Sequence, residues 1–255
     1  WLMNRFDGKK IFISAVVLFG CTSVLAGISW SVTSFIVFRL LQGFTAGIIT
    51  PLMSTLLVKT AGPEKIGRVM AIVSTPMIFG PILGPVLGGF IVQAASWRWI
   101  FFINVFIILI AAPLMMRTLP SFEPFNRESK LDIFGILDLS VMSAALIYGI
   151  TKAADHATFK NSESLLWTGL GVLLLFVYIF YDYRKQHATV LPLTIFSHRS
   201  FKAASIGLFF ANIAIMGPML ILPLFFQNFR HFSAMEAAIA LIPQGIGMLV
   251  TRPMI

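Results

Sequence analysis

Long apolar runs separated by short polar breaks set the pattern of this chain. Eight runs, at 11–29, 33–58, 69–92, 99–117, 132–152, 165–182, 201–226 and 234–251, are each long enough for a membrane-spanning helix. At ~1.5 Å rise per residue the shortest, 165–182, reaches roughly 27 Å and crosses a hydrocarbon core. None alternates as a barrel strand does, so helices are the remaining spanning solution for the backbone. The pattern predicts an all-α polytopic membrane protein with about eight transmembrane helices.

Composition agrees and excludes the usual alternative. Of 255 residues, 58% are apolar and 11% charged, and mean hydropathy is +0.89. Soluble domains run near 45–50% apolar and about 25% charged, so a water-soluble globular protein is excluded. The net charge of +9 first suggests nucleic acid. Sorting the cations by loop removes that reading. Arg5, Lys9, Lys10, Lys59, Lys65, Arg68, Arg117, Arg127, Lys130, Arg184, Lys185, Arg199, Lys202 and Arg252 fall on one side. Only Arg98, Lys152, Lys160 and Arg230 fall on the other, and Arg39 lies inside a span. The positive-inside rule then places residues 1 and 255 on the cytoplasmic side and makes the lipid bilayer, with no nucleic acid, the main partner.

The breaks at 30–32, 59–68 and 93–98 read as short loops. Two longer polar stretches, 118–131 and 183–200, read as cytoplasmic linkers bracketing a separable helix pair at 132–182. Four spans, within 1–117, precede the pair, and two, within 201–255, follow it. The chain opens on Trp1 with no charged leader or cleavage site, and reads as an excerpt of a longer polytopic protein.

Few residues carry chemistry. Arg39, with Gln42 and Gly43 one turn on, is a cation inside a span, which costs about 2.5–3.5 kcal/mol on insertion scales. It either faces a cavity or an acidic partner, or snorkels to the outer interface some 9 Å away. Gly80, Gly84 and Gly88 recur every four residues, with Pro81, Pro85 and Gly89 among them and Pro76 upstream. The glycine spacing alone fits ordinary helix packing. Three prolines so close together predict a helix built to bend or pivot. Asn4, Arg5, Asp7, Gly8, Lys9 and Lys10 form a tight polar turn that, taken alone, anchors the cytoplasmic side. Trp97 and Trp99 flanking Arg98 fit an aromatic belt, and Ser233 with Glu236 forms a capping box.

Among the acids, Asp132 sits at a helix start, where the macrodipole favours it. Asp138, about 9 Å deeper, is the best carboxylate for protonation or cation contact. Asp182, beside Arg184 and Lys185, reads as solvated. His156, His187, His198 and His231 fall in loops, and Cys21 is the single cysteine. No nucleotide, zinc-protease or nucleophile-elbow motif occurs. No metal, no cofactor and no enzyme activity are expected.

Together these segments resemble the major facilitator superfamily, in its fourteen-helix drug:proton antiporter branch. The turn at 2–10 resembles the loop between helices 2 and 3, and Arg39-x-x-Gln42-Gly43 the helix 4 motif. Gly80-Pro81-x-x-Gly84-Pro85-x-x-Gly88-Gly89 resembles the antiporter motif of helix 5, typical of exporters. The segments from Trp97 to Asn104, from Leu131 to Gly135 and from Leu193 to Phe201 also resemble this branch. The resemblance implies a partial bundle of helices 3–10. Residues 1–117 would belong to the N-terminal half, 132–182 would be the additional pair, and 201–255 would start the C-terminal half. It departs from the pattern at Asn4, where an Asp is usual, and at Asp7-Gly8, which replaces Gly-Arg; a gate built there would be differently paired.

The implied function is proton-coupled export of amphipathic compounds across the plasma membrane, here the bacterial inner membrane, by alternating access. Arg39, Gln42, Gly43 and Asp138 would serve proton coupling, the Gly80–Gly89 segment the pivot, and the 4–10 turn the cytoplasmic gate. Partners would be protons, small amphipathic substrates and a periplasmic adaptor protein. Export of one defined metabolite, such as a siderophore, antibiotic or amino acid, shares these features. A structural or proton-conducting subunit would instead predict intramembrane Lys/Glu series or His pairs, and none is present.

Overall fold

A computed structural model describes residues 1–124, 130–186 and 189–251 of the chain; Arg127, His187 and Arg252 lie outside the described residues. Among the described residues the regular structure is entirely helical. In order these are α1 (Leu2–Arg5), α2 (Gly8–Gly27), α3 (Val32–Ala94), α4 (Trp99–Thr118), α5 (Ile133–Asp155) and α6 (Ser162–Arg184). A 3-10 turn (Leu193–Ser197), α7 (Arg199–Phe229), α8 (Ala234–Ala240) and α9 (Ile242–Thr251) complete the order.

Caps in the polar breaks decide where several helices begin. Asp7 caps α2 through the Lys9 N–H, Asp132 caps α5 through Gly135, and Asn161 caps α6 through Glu163. Ser233 with Glu236 opens α8 with the reciprocal capping box the sequence predicts, and Ser31 with Ser34, not read from the sequence, opens α3 in the same way. Six described helices are long and apolar enough to cross a membrane: Gly8–Gly27, Val32–Gly62, Trp99–Thr118, Ile133–Asp155, Ser162–Arg184 and Arg199–Phe229. They coincide with six of the eight apolar runs. The run 69–92 is helical within the second arm of α3.

Two expectations are corrected. The stretch 59–68 is not an open loop. Helix continues on both sides of one break at Gly62, whose φ of 72° and ψ of 166° suit only glycine. A proline follows it, and proline fits the first turn of the next helical arm. The bend therefore falls at Gly62, while helix runs unbroken through positions 76, 81 and 85. The last run, 234–251, is two short helices rather than one span, separated at Leu241. Pro243 explains the division: inside one continuous helix it would remove a donor and clash with the preceding turn, whereas near the start of α9 it does neither.

The chain forms two compact units, Trp1–Ser129 with Ile215–Ile255, and Lys130–Ala214. In the first, α2 packs against α3 and α4, and α3 also meets α8 and α9. Small residues allow the approach: a Cβ on Gly20 would lie 3.0 Å from Ile108 Cδ1, and one on Gly27 3.0 Å from the Phe102 ring. In the second, α5 and α6 form an antiparallel hairpin. A Cβ on Gly149 would sit 2.6 Å from the Thr168 backbone nitrogen, and one on Gly171 2.5 Å from Leu146 Cγ. Most large apolar side chains of both units face outward, as on Trp30, Phe44, Ile110 and Phe229. Such an exterior suits an apolar solvent.

Candidate functional site

In the first unit, Arg39 ends a chain of polar side chains that crosses three helices. Its Nη1 donates to Gln42 Oε1 at 2.9 Å, and Gln42 Nε2 donates to Ser23 Oγ on α2 at 2.5 Å. Asn104 Nδ2 on α4 donates to the same Ser23 oxygen at 3.3 Å. Ser23 has no exposed surface and Gln42 is buried, so this amide is held in place from the apolar side. The Arg39 guanidinium also lies 5.6 Å from the centre of the Phe101 ring. Arg39 is itself exposed, and its guanidinium is tied to Gln42, one turn further along the span. Gly43 stands apart: a Cβ there would meet no described atom within 4 Å.

The 2–10 turn is fastened to the segment that follows α4. Asp7 Oδ1 accepts the Phe122 N–H at 3.1 Å and the Lys9 N–H at 2.9 Å, and Oδ2 accepts the Ser121 hydroxyl at 2.5 Å. The Ser121 hydrogen bond is the main reason the Asp7 carboxyl stays below its ordinary value; partial burial works against it. Gly8 is buried and donates to the Phe122 carbonyl at 3.4 Å. Arg5 lies over Trp1 at 5.6 Å, and Lys59 over Phe122 at 5.8 Å. Asn4 and Lys9 are half-buried, and Lys10 is exposed.

The glycine ridge on the second arm of α3 is open. A Cβ on Gly80, Gly84 or Gly88 would meet no described atom within 4 Å, and the side chains of Pro81 and Pro85 lie outside the described residues. Gly88 and Gly89 line a small cavity of about 280 Å³ with Pro223, Gln227, Ala238 and Leu241.

In the second unit, Asp138 is 7% exposed, and its Oδ2 has no hydrogen-bond partner among the described residues. The ends of α5 and α6 carry a cluster that sequence reasoning missed. Asp132 accepts from the Tyr181 hydroxyl, from Lys185 Nζ at 3.3 Å and from the Val190 N–H at 3.2 Å. Burial alone would raise the Asp132 carboxyl, but these hydrogen bonds outweigh it and hold the group below its ordinary value. Asp182 is not solvated, contrary to expectation. It has no exposed surface and accepts from the Thr189 hydroxyl and from the Leu193 N–H at 3.1 Å. Tyr178 and Leu191 exchange two hydrogen bonds between the ring hydroxyl and the backbone. The polar stretch after α6 therefore folds back onto the pair, and Arg184 and Lys185 beside Asp182 were the misleading signal. Among the described residues no three His, Cys, Asp or Glu side chains gather as a metal site would require.

Comparison with known proteins places the sequence among related chains. A sequence model of the Major Facilitator Superfamily matches residues 1–255. A "Multidrug resistance protein B homolog" of Mycobacterium tuberculosis strain H37Rv is 30% identical over 99% of the chain and 47% of its own length. The "Multidrug export protein EmrB" of Haemophilus influenzae is 29% identical over all of the chain and 50% of its own length. The "Fatty acid resistance protein FarB" of Neisseria gonorrhoeae is 29% identical, with the same two coverages. The chain spans about half the length of the curated relatives it matches.

Proposed function

The chain belongs to the Major Facilitator Superfamily, and on that premise we propose that it forms part of a proton-coupled exporter of amphipathic compounds. Substrate would cross the plasma membrane, here the bacterial inner membrane, by alternating access. Both ends of this chain would lie on the cytoplasmic side, and a periplasmic adaptor would be the protein partner. One observation carries the reading: Arg39, a cation within a membrane-spanning helix, is held by Gln42, which is fixed in turn by the buried Ser23. A cation kept at this depth needs an anionic counterpart during the cycle, and a carboxylate that gains and loses a proton supplies one.

Arg39, with Gln42 orienting it and Gly43 leaving space beside it, governs that exchange. Asp138 is the candidate membrane carboxylate of this chain. The ridge from Gly80 to Gly89 gives the second half of the bundle a surface to close upon, and the Asp7-centred turn gates the cytoplasmic end. Each proton entering down 100 mV supplies about 2.3 kcal/mol. The names of the relatives, multidrug export and fatty acid resistance, support apolar or amphipathic cargo rather than a sugar.

The test is drug-driven proton movement in proteoliposomes of the full-length protein. Replacing Arg39 with Ala should abolish it while the protein still inserts and binds substrate. Proton movement that survives the substitution overturns the role of Arg39.

A further inference from the structure

The α5–α6 pair holds a buried carboxylate, Asp138, whose Oδ2 has no hydrogen-bond partner among the described residues. Ser164 Oγ donates to the Gly149 carbonyl at 3.0 Å, Gly149 abuts Thr168, and Gly171 abuts Leu146. Carried toward residues 132 and 185, this antiparallel register sets Asp138 beside the turn of α6 that holds Tyr178. Both residues are buried, at 7% and 1% exposure.

The charged and titratable groups of α6 are committed elsewhere or turned outward. Glu163 pairs with Lys152 at 3.5 Å at the far end of the hairpin. The Tyr178 hydroxyl is occupied by Leu191, Tyr181 by Asp132, and Asp182 by Thr189 and Leu193. Tyr183 is exposed, and Arg184 lies over the Phe180 ring at 4.9 Å. Lys185, the next cation along, is bound to Asp132. On α5 itself the nearest charged neighbours are Asp132, about 9 Å away along the axis, and Lys152, about 21 Å away. Buried to this degree and with no cation beside it among the described residues, an ionised carboxylate at Asp138 would cost several kcal/mol. A bound proton removes that cost.

The cluster at the ends of the hairpin stands about 9 Å along the axis from this position. Asp132 holds Val190, Tyr178 holds Leu191, and Asp182 holds Thr189 and Leu193, so five consecutive residues are fastened at four points. We propose that Asp138 is a proton-binding site of the α5–α6 pair, and that segment 189–193 covers it on the side of these helix ends. The use of that proton rests on the exporter reading; its binding does not.

Dicyclohexylcarbodiimide, which adds to a protonated carboxyl in apolar surroundings, separates the possibilities in the full-length protein in mild detergent. Peptide mass spectrometry should find Asp138 labelled about tenfold more than Asp132 or Asp182, whose carboxylate oxygens are taken up by hydrogen bonds. Alkaline pH should lower the label, and sodium at constant ionic strength should leave it unchanged. Asp182→Asn, or Thr189→Val if that variant does not fold, should speed labelling of Asp138 several-fold by loosening the cover. Equal labelling at the three aspartates, or protection by sodium, overturns the proton site. An unchanged rate in the loosened variant overturns the cover. The readout needs no substrate, so lost export with an intact label counts against the exporter reading alone, and the reverse outcome counts against Asp138 alone.

Discussion

Asp182, a carboxylate with no exposed surface in the last turn of α6, accepts the backbone N–H of Leu193 at 3.1 Å. The bond turns a polar stretch that reads as a linker into part of the hairpin's packing. Asp182→Ala leaves the Leu193 N–H and the Thr189 hydroxyl unpaired beneath the segment they hold. The expected cost is about 1–3 kcal/mol, seen as a lower thermal midpoint and as faster amide exchange across 189–193. Unchanged exchange at Leu193 would mean that Asp132 and Tyr178 hold the segment without it.

Asp132 makes the same region sensitive to acid. Burial acts to raise its carboxyl above 3.8, but the hydrogen bonds from Tyr181, Gly135, Val190 and Lys185 prevail and hold it lower in the folded protein. A carboxyl depressed on folding contributes stability above its ordinary value, and that contribution fades as pH falls through the folded value. Lys185, raised above 10.5 chiefly by its hydrogen bond with Tyr181, behaves oppositely: its contribution is complete below 10.5 and fades as pH rises through the folded value. Thermal midpoints in detergent should therefore decline below about pH 4. Asp132→Asn should start lower at neutral pH and decline less. Asp7, depressed mainly by Ser121, has the same sign, so a double Asp7→Asn/Asp132→Asn variant should be flatter still.

Gly149 and Gly84, both inside long helices, should respond oppositely to a single methyl group. At Gly149 an added Cβ meets the Thr168 hydroxyl and lies 2.6 Å from the Thr168 backbone nitrogen, so α5 and α6 must part. Gly149→Ala should cost about 1–3 kcal/mol. At Gly84 the same atom meets no described neighbour, and Gly84→Ala should leave stability within about 0.5 kcal/mol. If the ridge is the closing surface proposed for it, export should still fall. Thermostability by size-exclusion chromatography, measured beside vesicle transport, separates the two effects. Full export by Gly84→Ala would remove the ridge from the mechanism.

The spans were legible because the bilayer imposes one length and one polarity on whatever crosses it. The cap at Ser233 was legible because a cap is a local bond within one turn. What escaped was information carried between helices. Lys59, Lys65 and Arg68 suggested a loop, yet cations sit equally well on a helix at the membrane edge, and only Gly62 breaks the backbone. Asp182 looked solvated because of its sequence neighbours; in the structure the segment after α6 folds back onto it through Thr189 and Leu193. Ser23 is an ordinary serine until the rotation of three helices brings Gln42 and Asn104 to its oxygen. One signal pointed that way: Asn104 is the lone polar residue deep within the run 99–117, and such a group in hydrocarbon requires a partner.

That shared oxygen gives the sharpest test of the polar chain. Ser23→Ala removes the acceptor of two amides at once, leaving Gln42 Nε2 and Asn104 Nδ2 unpaired among α2, α3 and α4. The stability cost should be modest, about 1–2 kcal/mol, as for other hydrogen bonds between membrane helices. The effect on coupling should be larger, because Gln42 is then free to turn and Arg39 loses the support that fixes its direction. Asn104→Ala, which removes only the longer of the two bonds, should do less of both. Substrate binding by fluorescence quenching and drug-driven proton movement in the same proteoliposomes distinguish the two roles of the serine. Binding retained with proton movement reduced several-fold is the outcome of a positioning residue. Parallel loss of both, in step with the fall in thermal midpoint, would reduce Ser23 to a packing contact.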